Sequence, residues 1–194
     1  MRFFFNIRKA SQAAAYLVKL HGGQMNLMSL LKLLYLADRA SLVETGYSIT
    51  GDQMVSMPHG PVLSRIYDFV KWGKPESEQD ESAQWYEYIT ERNNHEVSLA
   101  NGSTSINELS EYERDDLKKV HDEYGHLKPW ELRDLTHNLP EYKDPNGSSI
   151  PISPVEILRI EGKGNDEIGK IVRTAAELVF LEELTDDRLS QKVT

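Results

Sequence analysis

The sequence contains no cysteine, and that absence closes several chemistries at once. Disulfides, zinc–thiolate sites, iron–sulfur clusters and a cysteine nucleophile all need a thiol. No apolar run approaches the roughly 18 residues that a membrane span requires. The cluster Phe3–Phe5 after Arg2 is broken by Asn6 and followed by Arg8 and Lys9, too short for a signal-peptide core, and the chain reads as a soluble, cytoplasmic protein. Basic side chains are also scarce. Lys and Arg number 22 against 31 Asp and Glu, a formal net charge of −9 that repels a phosphate backbone and favours a basic protein partner. Direct nucleic-acid binding is therefore not expected, and solubility alone accounts for much of the charge.

Catalytic signatures are missing as well. The six histidines, His21, His59, His95, His121, His126 and His137, form no H-E-x-x-H or other ligand-spaced set, so no metal site is read. The serines include no G-x-S-x-G elbow. The G-K-G at 162–164 lacks a preceding strand and the rest of a phosphate-binding loop. No cofactor is implied and no catalytic residue stands out.

What is present is helical periodicity. Apolar positions Ile7, Ala10, Ala14 and Leu17 at helical spacing, closed by Gly22-Gly23, predict a first helix over 7–21. Its small residues Ala13, Ala14 and Ala15 permit close approach of a neighbour. A second helix starts after the N-cap Asn26 in "NLMSLLKLLYLADR", apolar in nearly every direction and thus the central, buried one. At 100° per residue, Ser29, Lys32, Tyr35 and Arg39 fall within about 120° of one another. The spacing predicts that stripe as the helix's only wet face, either plain solvent surface or contact surface for a partner.

In "ITGDQMVSMPHGPVLSRIYDFVK", Thr50-Gly51-Asp52 is a turn and "QMVSM" a short extended piece. Pro61 suits a first helical position and Gly60 a cap, so His59-Gly60-Pro61 reads as the start of a helix burying Val62, Ile66, Phe69 and Val70. A lone histidine in such a cap is in most cases a packing or hydrogen-bonding residue. "GKPESEQDESAQ" is a surface connection, and "WYEYI" with "HEVSLA" around Asn93-Asn94 reads as a β-hairpin. Ser110 with Glu113 makes a capping box opening a helix that ends at Gly125; Pro129 opens another, ending near His137. "PEYKDPNGSSIP" is loop. Ser153-Pro154-Val155-Glu156 combines a capping box with proline at the first helical position, Gly162 and Gly164 end that helix, and a long helix with Ile168, Ile171, Ala175, Leu178 and Val179 follows. The expectation is one mainly α domain over residues 1–185, about six to seven helices with a small β element, and a frayed tail at 186–194.

The order of "LLKLLYLADR", "ITGDQMVSMPHGPVLSRIYD", "LSEYERDDLKKVHDEYG" and "ELRDLTHNLPEY" resembles the Panacea domain, the SocA-like antitoxin or phage-associated protein family, over roughly residues 8–140. The K-L-L-Y-L-A-D block followed by G-P-V carries most of the specificity. The resemblance implies a mainly helical domain that neutralises a toxin encoded beside it by direct binding, some members acting as adaptors that deliver the toxin to a AAA+ protease. It brings no catalytic residues. The positions it marks are Lys32, Tyr35, Asp38, Gly51, Pro58, His59, Gly60, Pro61, Val62 and His137, with Arg39 added from the polar stripe; at the position of His59 the family often carries an aromatic residue. Two classes of function stand side by side: a toxin-binding protein, with a basic toxin and a protease or chaperone as the partners implied, and a small hydrolase-type enzyme at the HGP loop.

Overall fold

The computed structural model describes residues 1–100 and 105–190. The fold is mainly α, with eight helices and five short strands among those residues. Helix α1 (Ile7–Leu20) opens on Asn6, whose side chain accepts the Lys9 N–H. It stops at Gly22 and Gly23, both at positive φ. After strand β1 (Gln24–Asn26), Asn26 caps α2 (Leu27–Thr45) by accepting the Met28 N–H. Helix α2 runs beyond the Arg39 of the sequence motif and ends at Gly46, which is left-handed at φ 84. A Cβ there would lie 3.0 Å from the side chain of Ile171, so glycine serves both the turn and the approach of the last helix.

Ten further elements follow. They are β2 (Met54–Met57), β3 (Gly60–Leu63), α3 (Ser64–Trp72), α4 (Ala83–Tyr86), β4 (Glu96–Ser98), α5 (Glu111–Tyr124), α6 (Pro129–His137), β5 (Ile150–Pro151), α7 (Pro154–Ile160) and α8 (Asn165–Ser190). Helix α2 packs against α1, α5, α6, α7 and β3, and Leu30, Leu33, Leu34, Tyr35 and Leu42 on it are all buried. Removing one of these leucines would cost about 2–5 kcal/mol. The central position predicted for α2 is the observed one.

Three local expectations are corrected. Pro61 does not start a helix: β2 and β3 form an antiparallel hairpin pairing Val55 with Val62 and Met57 with Gly60, and α3 begins at Ser64. A burial face running through four consecutive residues, Gly60–Leu63, suits a covered strand and not one stripe of a helix. The segment "WYEYI" is not a strand paired with "HEVSLA". Trp85 and Tyr86 lie in α4, and Tyr88 and Ile89 donate their N–H groups to the Trp85 carbonyl. The aromatic run puts Trp85, Tyr88 and Ile89 at i, i+3 and i+4, a helical spacing, so one turn turns all three toward the core. The two segments meet at an isolated bridge between Ile89 and Leu99, where Ala100 N donates to the Tyr88 carbonyl, and a second bridge between Asn93 and Glu96 closes the turn; β4 takes β1 as its strand partner, Met25 opposite Val97. Third, Ser153 makes no side-chain capping bond, although α7 starts at Pro154 as read.

The capping box Ser110–Glu113 is present, each side chain bonded to the other residue's N–H. In α8, Ile168 and Ala175 are buried while Leu178, Phe180 and Leu184 are exposed. The stretch read as a frayed tail is helical through Ser190; residues 191–194 lie outside the described residues. No helix among the described residues is long and apolar enough to cross a membrane.

Candidate functional site on the central helix and the hairpin

The polar stripe of α2 is not a wet face. Lys32 and Tyr35 are 1% and 0% exposed and Ser29 is buried, so neither solvent nor a docking partner reaches them directly. The stripe is polar because other elements close over it and use its groups. Burying polar groups is tolerable only where each finds a partner, and the partners here come from three separate parts of the chain.

Tyr35 Oη and Arg39 Nε donate to Glu141 at 2.9 and 2.6 Å, and Arg39 Nη2 reaches Glu161 at 2.5 Å. Glu141, itself 2% exposed, thus pins the loop after α6 to α2, and Arg39 extends the network to the end of α7. Burial first, then the Glu141 carboxylate, pushes the Tyr35 phenol far above its ordinary value, so this hydroxyl remains a donor. Asp38, next on the helix, holds the following loop: Ser48 Oγ, Thr50 N and Thr50 Oγ1 donate to it at 2.6, 3.0 and 2.5 Å. Burial raises its pKa to about 6 even though these three bonds pull the other way.

Asp52 does the analogous work for α3. Leu63, at the cap position, has no capping side chain; Asp52 accepts instead from the N–H groups of Gln53, Arg65 and Ile66 at 2.7, 3.1 and 3.0 Å. The first turn of α3 is therefore capped by a residue more than ten positions upstream, and burial is what holds this carboxyl above its ordinary value.

The hairpin covers Lys32. Its Nζ donates to the Pro61 carbonyl at 2.8 Å. Gly60 sits at φ +88, and a Cβ on it would fall 2.8 Å from Lys32 Nζ, 2.8 Å from His137 Cδ2 and 2.9 Å from Thr136 Oγ1. Glycine is needed twice over here, for its backbone conformation and for the absence of a side chain. Lys32 forms no ion pair with any carboxylate among the described residues. Burial, followed by the nearby Arg133 charge, lowers its pKa to about 7.

Above Lys32 the hairpin tip reaches the surface. Pro58 and His59 are exposed, and the His59 ring stands edge-on to Trp130, centroids 6.1 Å apart. The Arg133 guanidinium lies 5.9 Å from the Trp130 ring centre, and His137 stacks at 4.3 Å on Tyr142. Tyr142 Oη donates to the Met57 carbonyl and Lys143 N to Ser56 Oγ, which fastens the loop after α6 to β2.

Of the residues singled out in the sequence, the structure brings Lys32, Gly60, Pro61 and His137 into one cluster, with His59 at its outer edge. Tyr35 and Arg39 belong to the adjoining Glu141 network, and Asp38 to the separate loop clasp. Sequence reasoning missed Asp52, Trp130, Arg133, Glu141 and Tyr142. Of these, Arg133, Glu141 and Tyr142 stood in the quoted block "ELRDLTHNLPEY", where an acid and an aromatic in an apparent loop were the available signal for the last two. As for chemistry, among the described residues His59 has an aromatic neighbour and no hydroxyl bonded to it, and among them no group of three or more His, Cys, Asp or Glu is set to hold a metal ion.

Neither a curated protein nor a solved structure matches the chain. The family model described as "Antitoxin SocA-like, Panacea domain" matches residues 30–143, a span that contains Lys32, Asp38, Asp52, the hairpin, α6 and Glu141. That span is more than half of the chain, and the protein belongs to the SocA-like antitoxin family, the Panacea domain.

Proposed function

We propose that this protein is an antitoxin that neutralises a cognate toxin by direct protein–protein binding. Membership of the SocA-like antitoxin family carries the reading. Two physical features support it. The charged groups buried around α2, Asp38, Asp52 and Glu141, are consumed in holding loops and helix ends, as in a scaffold that presents a surface and not in a site that turns over substrate. The net charge of −9 would steer a basic toxin toward it and speed encounter.

A toxin silenced by occlusion needs an interface of about 1,600 Å² in total or more. The test is co-expression with the product of the adjacent open reading frame. Growth arrest by that product alone, relief by this protein, and co-purification of the two are the expected results. A neighbour that is harmless by itself, or that is not retained, overturns the reading. Relief that disappears in a host lacking its AAA+ proteases, with binding intact, would replace direct neutralisation by delivery to a protease.

A further inference from the structure

We infer that His21 and His121 form a zinc-binding pair, in which His21 Nδ1 and His121 Nε2 hold one Zn²⁺ between the C-terminal ends of α1 and α5 and water fills the remaining positions. The inference does not depend on the antitoxin reading.

The first observation is geometric. The two residues stand 100 positions apart in the chain, so no local spacing announces them, and the fold brings His21 Nδ1 to 3.4 Å from His121 Nε2. That is longer than the roughly 2.7–3.2 Å of a good N–H hydrogen bond. It is the separation that a shared metal requires. With Zn–N bonds of about 2.05 Å, nitrogens 3.4 Å apart subtend about 112° at the ion, close to the tetrahedral angle. A square-planar ion, at about 90°, would need them about 2.9 Å apart. The rings are nearly perpendicular, at 81° with centroids 5.6 Å apart, so they meet by an edge and do not stack.

The second is electrostatic. His21 is the C-cap of α1 and His121 lies in the last turn of α5, so the negative ends of two helix dipoles converge on the pair and favour a cation there. Asp122 Oδ1 stands 3.9 Å from His121 Nδ1, the ring nitrogen that the metal would not use. A carboxylate on that side keeps the proton on Nδ1 and leaves the Nε2 lone pair free, the usual support of a metal-bound histidine. Lys118, the cation that bears on His121, is itself paired with Asp122. Burial first, then His21, lowers the His121 pKa, so the ring is neutral at pH 7, as a ligand must be.

The third is access. His21 is exposed, and the His121 side chain is 16% exposed, so an ion reaches the pair from solvent. Gly125 keeps the space beside the ring. Its φ of −64 does not call for glycine, yet an added Cβ would stand 3.0 Å from His121 Nε2 and 2.5 Å from the His121 carbonyl oxygen. No third His, Cys, Asp or Glu among the described residues completes the set, so the ion is held by two protein ligands and stays exchangeable. Bound there, it ties the C-terminal end of α1 to that of α5, and the folded chain gains stability by mass action when zinc is present.

The experiment titrates the purified full-length protein, free of metal and of any affinity tag, with Zn²⁺ by calorimetry near neutral pH, and follows its melting temperature and the imidazole nitrogen signals by NMR. One Zn²⁺ per chain should bind with a Kd of about 1–200 µM, roughly half the binding free energy of a four-ligand site. It should raise the melting temperature and shift the signals of His21 Nδ1 and His121 Nε2. Mg²⁺, which takes oxygen ligands, should do neither. His21→Gln and His121→Gln should each weaken zinc binding about tenfold or more and abolish the thermal shift. His95→Asn, in the turn before β4 at a positive φ that asparagine tolerates, should bind as the wild type does. Affinity should fall below about pH 6.5, where protons compete for the rings. Melting without zinc checks that each variant folds, and if His121→Gln does not, the exposed His21→Gln decides alone. A folded wild type that binds no zinc overturns the inference. So does zinc bound equally well by the folded Gln variants, which would place the ion elsewhere.

Discussion

Lys32 Nζ lies 2.8 Å from the carbonyl oxygen of Pro61, a single hydrogen bond that ties the middle of the central helix to the strand leaving the hairpin. No carboxylate of the described residues balances the charge. The buried amine therefore carries a cost in its protonated form, and that cost sets how the fold responds to pH.

The folded-state pKa of Lys32 is about 7 against an ordinary 10.5. Below pH 7 both folded and unfolded chains hold the proton and the burial cost is present in full. Between pH 7 and about 10 the unfolded chain binds more protons than the folded one, so stability rises with pH through that window. Urea denaturation at pH 7 and pH 9 should show the wild type gaining on the order of 1–2 kcal/mol relative to Lys32→Met. A difference that is flat or reversed would mean that the amine stays charged in the folded protein.

Gly60→Ala should destabilise the protein by about 1–3 kcal/mol from backbone strain, with more from displacing Lys32 Nζ, Thr136 and His137. Gly147 is the control, at φ +91 with nothing within 4 Å of an added Cβ. Gly147→Ala carries the strain without the crowding. Equal losses in the two variants would show that the crowding at Gly60 is relieved at no cost.

Glu141→Ala should cost about 3–5 kcal/mol, because it leaves the Arg39 guanidinium partly buried beside an empty site and removes the acceptor for Tyr35 Oη. Tyr35→Phe, which removes one donor only, should cost about 1 kcal/mol. Chemical denaturation checks both. A loss below 1 kcal/mol for Glu141→Ala would mean that water replaces the carboxylate and that the network contributes little.

Asp52→Ala should lose about 1–3 kcal/mol by leaving the Gln53, Arg65 and Ile66 N–H groups without their acceptor. Amide exchange at Arg65 and Ile66 should accelerate in the variant ahead of exchange in α2. Unchanged protection at those amides would show that α3 does not depend on this distant cap.

Legibility followed the range of the interaction. Asn26, the Ser110–Glu113 box, Pro129 and Gly22-Gly23 act within a turn of where they stand, and the boundaries they announce are the ones found. The apolar circumference of "LLKLLYLADR" identified the buried helix, and the order of its motifs identified the family. The site was legible only as a roll of residues. Lys32, Tyr35 and Arg39 were grouped by helical angle and read as an outer face toward solvent or a partner, because a stripe of long polar side chains looks the same whether water or the chain's own protein lies beyond it.

What lies beyond is Pro61, Glu141 and Glu161, between 29 and 122 positions away in the chain, and no local pattern encodes such a partner. The same limit explains the hairpin. Pro and Gly at 60–61 satisfy a helix start and a tight β turn equally well, and the choice was made by Val55 pairing with Val62 and by the space that Lys32, Thr136 and His137 occupy against Gly60. Helices α1, α2 and α5 and the central place of α2 were set by the sequence alone, since hydrogen bonds and apolar periodicity there close over a few residues, whereas α3 takes its cap from the distant Asp52. Which polar groups are buried, and which face remains for a partner, was decided by tertiary packing, because a polar group's environment is made by whatever element folds over it.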